Sequence, residues 1–134
     1  MALLSVGKPH KKDERLYLMR IELPTGVKLL KIGKSSGASS KARMMQICES
    51  IYDTYRTTPK IKLLRDRKVE DVFTKETCLH HFFVNYQFQG SAKFDGVTEC
   101  FTLCEDTAIQ AYEAVLEGLV PDFVYTTADD TLPF

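Results

Sequence analysis

The sequence has no long apolar run, because nowhere do about 18 or more apolar residues follow one another. A helix that crosses a membrane needs about 20 such residues, so a membrane-spanning protein is not expected. The first residues, MALLSVGKPHKKDER, place a very short apolar stretch before the charges, which reverses the order found in a secretory signal. These absences predict a cytoplasmic protein.

The cysteines lack the pattern of a disulfide framework or of a strong metal motif. They are Cys48, Cys78, Cys100 and Cys104, and without an export signal we expect them to be reduced thiols. A zinc site from Cys100, Cys104 and the His80–His81 pair is the alternative. Structural zinc needs four converging ligands, whereas the sequence has one C-x-x-x-C pair and adjacent histidines that point to different sides of a helix. The thiol interpretation is therefore favoured.

The chain also has no net charge, with 18 Lys and Arg against 18 Asp and Glu. The charges are unevenly placed, since residues 1–68 carry 16 basic and 6 acidic side chains and residues 69–134 carry 2 and 12. Such asymmetry favours a nucleic-acid-binding surface beside an acidic remainder. The alternative is that the two halves pair with each other across the fold. The residues expected to contact nucleic acid are Lys34, Lys41, Arg65, Arg67 and Lys68.

A length of 134 residues fits one domain, which at this size buries roughly two thirds of the surface of its unfolded chain. We expect a loose basic arm at residues 1–14, a single domain at residues 15–120 and an acidic tail at residues 121–134. Two apolar runs, residues 16–23 and 27–33, flank a Pro-Thr-Gly turn and predict an antiparallel hairpin. Further strands are predicted at residues 60–68 and 97–103.

Three helices are predicted between and after these strands. We expect the first to begin at Lys41 after a Gly/Ser loop, the second to be capped by Thr74, and the third to open at a Thr107–Gln110 capping box and to end near Gly118 and Pro121. Their predicted apolar faces are Met44, Cys48, Ile51 and Tyr55; Leu79, Phe82, Phe83 and Tyr86; and Ile109, Tyr112, Val115, Leu116 and Leu119. The order β-β-α-β-α-β-α predicts an α+β fold, a small antiparallel-rich sheet with helices packed on it.

Several polar residues have the chemistry that phosphodiester hydrolysis requires. Glu76 and His80 are one helical turn apart, so a carboxylate and an imidazole can serve one metal ion, although a surface pair at a helix N-terminus is the alternative. Arg43 follows the Gly/Ser loop and can bind a phosphate with two parallel N–H bonds, unless it is a solvated helix arginine. Tyr17 and Lys31 can meet across the hairpin and orient a water molecule, unless they are a core-edge aromatic and a solvated lysine.

The motifs Leu16-Tyr17-Leu18, Lys31-Ile32-Gly33-Lys34-Ser35 and Arg43 resemble the opening of the GIY-YIG nuclease superfamily. Glu76-Thr77-Cys78-Leu79-His80 and Thr98-Glu99-Cys100-Phe101 extend the resemblance, which runs from about residue 16 to residue 103. It is closest to the small phage and viral branch, which has KIG in the second motif and E-x-x-x-H on the glutamate helix.

The resemblance implies a metal-dependent endonuclease that hydrolyses phosphodiester bonds in DNA, which is favoured over RNA as the nucleic acid bound. It implies a catalytic set of Tyr17, Arg43 and Glu76, with Glu76 holding one divalent cation, Mg²⁺ or Mn²⁺. His80 and Glu99 are the additions of this branch. Gly33 is expected to allow close backbone approach beside the loop. For a phage-encoded protein, the location implied is the host cytoplasm.

The chain departs from the superfamily pattern at Lys31, which replaces the second tyrosine. A lysine there can activate water only if its pKa is lowered; otherwise it binds phosphate. Leu16 also replaces the leading small residue of the first motif. Two alternatives to an active nuclease therefore stay open. One is a catalytically impaired nucleic-acid-binding module of the same fold, and the other is a phage or viral protein that acts on a host partner through the third helix or the acidic tail.

Overall fold

The computed structural model describes residues 13–90, 93–94 and 96–119. Within them the chain forms four strands and three helices in the predicted order. These are β1 (Glu14–Glu22), β2 (Lys28–Ser36), α1 (Lys41–Tyr55), β3 (Lys60–Lys68), α2 (Val72–Phe82), β4 (Cys100–Phe101) and α3 (Glu105–Leu116). Short 3-10 turns at Val84–Tyr86 and Val97–Glu99 precede β4. Nearly all of the predicted basic arm and the whole acidic tail lie outside the described residues.

The strands form one antiparallel sheet in the order β3-β1-β2-β4. The predicted hairpin closes through backbone hydrogen bonds from Leu23 N to Val27 O and from Gly26 N to Leu23 O, both 2.8 Å long. Gly26 has a φ of 93°, which a glycine adopts without steric cost. In this strand order β1 lies between β3 and β2, so it is a central strand. Tyr17 on β1 lies opposite Gly33 on β2.

The alternation of side chains along the strands divides the core into two layers. Leu16, Leu18, Leu30 and Ile32 face one side and pack with buried residues of α2 and α3, including Leu79 and Tyr112. Tyr17, Met19, Ile21 and Leu29 face the other side and pack with Ile47 and Ile51 of α1. The sheet is thus covered by α2 and α3 on one face and by α1 on the other. None of the helices in the described part of the chain has the length and apolar character that a membrane crossing demands.

The starts of the second and third helices differ from the prediction. α2 begins at Val72 after Asp71, and Thr74 lies inside its first turn, where its hydroxyl donates to Asp71 Oδ1 at 3.0 Å. α3 begins at Glu105 after Cys104, two residues before the predicted Thr107 box. Glu105 and Asp106 fill its first turn, where the helix dipole favours negative charge. Both helices therefore begin earlier in the chain than the predicted caps.

The predicted strand at residues 97–103 is largely wrong, because β4 contains only Cys100 and Phe101 among the described residues. Local hydrogen bonds from Val97 N to Phe94 O and from Glu99 N to Gly96 O fold the preceding residues into a 3-10 turn. These bonds use backbone groups that a longer strand would need for its partner.

The predicted helix faces need three corrections. α2 ends at Phe82, so Phe83 and Tyr86 of its predicted face lie beyond the helix, Tyr86 in a 3-10 turn. On α1 the buried residues are Ile47 and Ile51, whereas Cys48 is only partly buried. The buried face of α1 therefore includes Ile47 in place of the predicted Cys48, because isoleucine is more apolar than cysteine. Leu119, predicted on the third face, is 57% exposed beyond the end of α3.

Ion pairs join the basic first half of the chain to the acidic second half. Arg20 contacts Glu105 at 3.0 Å, and Arg65 and Arg67 contact Glu113 at 2.7 and 3.4 Å. The alternative explanation of the charge asymmetry, pairing across the fold, is therefore confirmed for these residues. Because such exposed pairs contribute at most about 1 kcal/mol each, they orient α3 more than they stabilise it.

Asp66 on β3 connects three elements through a cluster of hydrogen bonds. Its Oδ1 accepts from Arg15 Nε and Ser40 Oγ, both at 2.8 Å, and its Oδ2 accepts from Ser40 N at 2.9 Å. Burial alone would raise the pKa of Asp66, but the hydrogen bonds from Arg15 and Ser40 outweigh it and hold the pKa below its usual range. The start of α1 is thereby fixed to β1 and β3.

Replacing Asp66 with asparagine is expected to lower the free energy of unfolding at neutral pH by about 1–3 kcal/mol, the range for charged hydrogen bonds. Since the pKa is lowered in the folded state, the contribution of the carboxylate is present above its unfolded pKa of about 3.9 and disappears as pH falls through the folded value. Urea denaturation of wild type and Asp66→Asn between pH 7 and pH 2 measures this. Asp53→Asn, at an exposed position of α1, is the control. A difference between wild type and Asp66→Asn that stays constant to pH 2 contradicts the assignment.

Candidate functional site

The site lies along the outer edge of β2, where the sheet ends. Among the described residues, β4 pairs with β2 at Leu30 and Lys31. Helix α2 also contacts β2. His80 on α2 places its Nε2 2.9 Å from the backbone oxygen of Ile32. Because a carbonyl oxygen only accepts hydrogen bonds, Nε2 carries the proton and donates it to Ile32. The neutral ring therefore has its lone pair on Nδ1.

Glu76 lies one turn before His80 on α2 and is 8% exposed. Its Oε2 lies 3.9 Å from His80 Nε2. Burial is the largest influence on Glu76 and raises its pKa, and the charge of Glu99 adds to this. Electrostatic interactions with His80, Lys34 and Lys31 oppose the rise without cancelling it. A carboxylate in this environment is stabilised in its ionised form by any further cation that binds beside it.

Glu99 completes a group that we call the carboxylate–imidazole cluster, which consists of Glu76, His80 and Glu99. One ligand atom from each of the three residues lies within 4.8 Å of the others. Glu99 comes from the 3-10 turn Val97–Glu99, directly before β4. Carboxylate oxygens and an imidazole nitrogen are ligands for divalent metal ions, so the cluster fits such an ion.

Lys31 connects this cluster to Tyr17 across the hairpin. Its Nζ donates to Tyr17 Oη at 2.7 Å and to Glu99 Oε1 at 2.8 Å, and it lies 4.9 Å from the centroid of the Tyr17 ring. The predicted meeting of Tyr17 and Lys31 is therefore confirmed. Both side chains are buried, with Tyr17 1% exposed and Lys31 0% exposed.

The charge state of Lys31 follows from these contacts. Burial is the largest influence and would lower the pKa of Lys31, but the Tyr17 phenol and the Glu99 carboxylate together raise it above its ordinary value. Lys31 is therefore a fixed ammonium ion at neutral pH. Water activation by Lys31 would need a lowered pKa, and the direction of the shift is the opposite.

Two glycines make room for Lys31 and Tyr17. A Cβ at Gly33 would overlap the Tyr17 phenol and lie 2.9 Å from Lys31 Nζ. A Cβ at Gly96, which has a φ of 87°, would overlap Lys31 Cε. The close approach expected at Gly33 is thus present, but the group that approaches is the Tyr17–Lys31 pair rather than the loop.

Arg43 lies on α1, the helix that packs over the core layer containing Tyr17. It is partly buried, and its Nη1 donates to Gln46 Oε1 at 3.1 Å. Arg43 is therefore placed on the Tyr17 side of the sheet, whereas Glu76 and His80 come from the helix on the other side.

The residues predicted to bind nucleic acid fall into two groups. Lys34 is exposed on β2, with its Nζ 5.2 Å from the Phe73 ring centroid, and it is close enough to Glu76 to lower its pKa. Lys41 is exposed at the first position of α1. The other three, Arg65, Arg67 and Lys68, lie on β3 at the opposite edge of the sheet, where their partners are Glu113 and Asp13. Lys34 is thus the predicted binding residue next to the cluster.

Sequence reasoning missed two contributions to this site. The Ile32 carbonyl, which determines the His80 tautomer, is a backbone group and leaves no mark in a residue pattern. The Lys31–Glu99 pair spans 68 positions. The one available signal was that Lys31 occupies an inward-facing position of an otherwise apolar strand, which predicts a buried lysine with a partner.

Together the fold and the cluster define a small α+β domain with a candidate divalent-metal site at a sheet edge. Residues 14–116 match the family model of the T5orf172 domain, and the chain belongs to this nuclease-related family. Neither the curated proteins nor the solved structures include a significant match to the chain.

Replacing Gly33 with alanine is expected to lower the free energy of unfolding by about 1–3 kcal/mol, the usual range for overpacking a core. The added methyl group must displace the Tyr17 phenol from Lys31, because it would occupy the same space. Thermal or urea denaturation measures the loss, with Ser36→Ala at an exposed position of β2 as the control. A Gly33→Ala protein as stable as wild type would show that Tyr17 and Gly33 are not in contact.

Proposed function

We propose that this domain is a metal-dependent endonuclease of the GIY-YIG type, which hydrolyses phosphodiester bonds in DNA with one divalent cation, Mg²⁺ or Mn²⁺, held by Glu76. The observation that carries the proposal is the carboxylate–imidazole cluster, whose ligand atoms lie within 4.8 Å of one another. Membership of a nuclease-related family and the neighbouring Lys34 support the same conclusion.

Glu76 fits a cation because its carboxylate is buried and its pKa is raised by that burial. Among the described residues its ion-pair neighbour is His80, at 3.9 Å, which is beyond hydrogen-bonding distance. When bound, a divalent cation supplies positive charge that stabilises the phosphate oxygens as negative charge develops on them.

His80 is the residue proposed to accept the proton. Hydrolysis forms a bond between a water oxygen and phosphorus and breaks the bond from phosphorus to a sugar oxygen. The water loses one proton, for which Nδ1 of His80 is the available base because Nε2–H is donated to Ile32. The sugar oxygen takes a proton from solvent as it leaves.

Tyr17, Lys31 and Arg43 are proposed to support this chemistry. Lys31 donates hydrogen bonds to both Tyr17 and Glu99, and its proposed role is to hold these two side chains in place. The role proposed for Arg43 is to bind the phosphate through its guanidinium group. Lys34 and Lys41, both exposed, are proposed to follow the DNA backbone.

Replacing Glu76 with glutamine is expected to reduce Mg²⁺- or Mn²⁺-dependent nicking of plasmid DNA by about 100-fold or more, the scale for losing one preorganised electrostatic group. The amide keeps the shape of the side chain but removes the negative charge that holds the cation. Glu49→Gln, at an exposed position of α1, is the matched control and should nick at the wild-type rate. Equal nicking by wild type and Glu76→Gln, including none in either, ends the nuclease proposal.

A second candidate function is a nucleic-acid-binding module that does not cleave. The observation that favours it is the burial of Tyr17 together with the raised pKa of Lys31, since neither group can then act on a water molecule in solvent. In this case Glu76 has a structural role and binding depends on the exposed lysines.

For either function, replacing Lys34 with alanine is expected to weaken DNA binding and to reduce the slope of log affinity against log salt by about one. The reason is that each phosphate contact releases about one condensed counterion. Fluorescence anisotropy across a salt series measures the slope, with Lys28→Ala at the other end of β2 as the control. If both variants keep the wild-type slope, DNA does not pass over this edge. Binding that survives Glu76→Gln without any nicking by wild type identifies the non-cleaving module.

A further inference from the structure

We infer that Phe73 is a stacking surface for an unpaired base, so that the site takes DNA with a single-stranded nucleotide beside the bond that is cut. This inference rests on the proposed function, and it names the class of substrate for the same site. Binding of a single strand to the ring does not itself require cleavage.

Phe73 lies in the first turn of α2 and is mostly in contact with solvent. At 65% exposure it is the most exposed large hydrophobic residue in the part of the chain that the structure describes. It belongs to neither layer of the core, so folding leaves its apolar surface unused. Single exposed apolar side chains are common on proteins, and the location of this one therefore decides what it does.

The ring lies next to Glu76 and Lys34. Phe73 precedes Glu76 by three residues on α2, a spacing at which helical side chains are neighbours. Lys34 follows Ile32 by two positions on β2, so its side chain lies on the face of the sheet that α2 covers. Its Nζ lies 5.2 Å from the centroid of the Phe73 ring, and its charge opposes the rise in the pKa of Glu76. An aromatic plane and an ammonium group thus adjoin the carboxylate proposed to act in cleavage.

This combination fits the two parts of a nucleotide. The ammonium group of Lys34 offers a positive charge to a phosphate, and the ring of Phe73 offers an apolar plane to a base. The attraction between the ammonium group and the aromatic ring keeps the lysine at this position. A partner that is both anionic and aromatic satisfies both side chains.

Stacking on Phe73 requires a base that is free to leave its neighbours. In a duplex, a base must first unpair and unstack, and the cost of this is smallest for a base that is mismatched or already single-stranded. A phenyl ring has no hydrogen-bonding group, so it accepts any base and gives no sequence preference. The expected substrate is therefore DNA with an unpaired nucleotide of any sequence beside the cleaved bond.

The first test measures binding without cleavage, by fluorescence anisotropy in EDTA, of a labelled single-stranded DNA and of the blunt duplex of the same sequence. Phe73→Leu keeps an apolar side chain but removes the flat ring. It is expected to weaken single-strand binding by about 5-fold or more, the lower end of the range for one stacked base. Duplex binding should stay within about twofold of wild type, because the bases of a duplex are already paired and stacked.

Tyr52→Leu is the matched control for this test. Tyr52 is the other exposed aromatic residue in the described ranges, and it lies on α1, which covers the opposite face of the sheet. This variant should bind both DNAs as wild type does. Equal single-strand affinities of wild type and Phe73→Leu, or no single-strand binding by wild type, overturns the inference.

A second pair of variants tests stacking directly. The chain contains no tryptophan, so Phe73→Trp places a single indole at the stacking surface and Tyr52→Trp places one on α1. A base that stacks on an indole quenches its fluorescence. Phe73→Trp should bind the single strand at least as tightly as wild type and lose emission on binding, whereas the emission of Tyr52→Trp should stay constant. Binding by Phe73→Trp without quenching contradicts stacking at this position.

These outcomes are separable from the fate of the proposed nuclease. Single-strand binding that depends on the Phe73 ring, in a protein that never nicks DNA, leaves the stacking surface standing and removes the nuclease. Conversely, nicking that depends on Glu76, with equal single-strand binding by wild type and Phe73→Leu, retains the nuclease and removes the stacking surface.

Discussion

The buried ammonium group of Lys31 is the interaction on which the candidate site depends. A positive charge with no exposure to water is stable only when paired and hydrogen-bonded, and here Tyr17 Oη and Glu99 Oε1 accept from it. Tyr17 belongs to β1 and Glu99 to the turn before β4, so one lysine joins the centre of the sheet to its edge. The position of Glu99 beside Glu76 and His80 follows from this pairing.

This arrangement separates the site into two levels. Tyr17 and Lys31 form a buried pair, and the carboxylate–imidazole cluster lies next to it at the edge of β2, joined to it by the hydrogen bond from Lys31 to Glu99. In the proposed function, the reaction therefore depends on groups of α2 and the 3-10 turn, whereas the hairpin holds Lys31 and Tyr17 in place. The sequence motifs implied that Tyr17 takes part in catalysis, but its phenol is buried, so His80 is the residue proposed to accept the proton.

Much of the fold could be predicted because it depends on local patterns. The hairpin, α1 and β3 follow from apolar periodicity and turn residues, and the Glu76–His80 neighbourhood follows from helical spacing. The rest depends on contacts that no local pattern records. A strand was predicted at residues 97–103, but β4 contains only two of them among the described residues. The backbone groups before β4 form hydrogen bonds within a 3-10 turn instead of with a neighbouring strand. The Lys31–Glu99 pair and the burial of Tyr17 depend on the packing of segments that are distant in the sequence.

The central claim is that the carboxylate–imidazole cluster holds a divalent cation. Its most direct test is a crystal of the protein soaked in Mn²⁺, with data collected at a wavelength where manganese scatters anomalously. The expected result is one strong anomalous peak within ligand distance of the Glu76 carboxylate, at about 2.0 to 2.2 Å and beside His80 and Glu99. The absence of a peak at Glu76, with manganese bound elsewhere on the described surface, would contradict it.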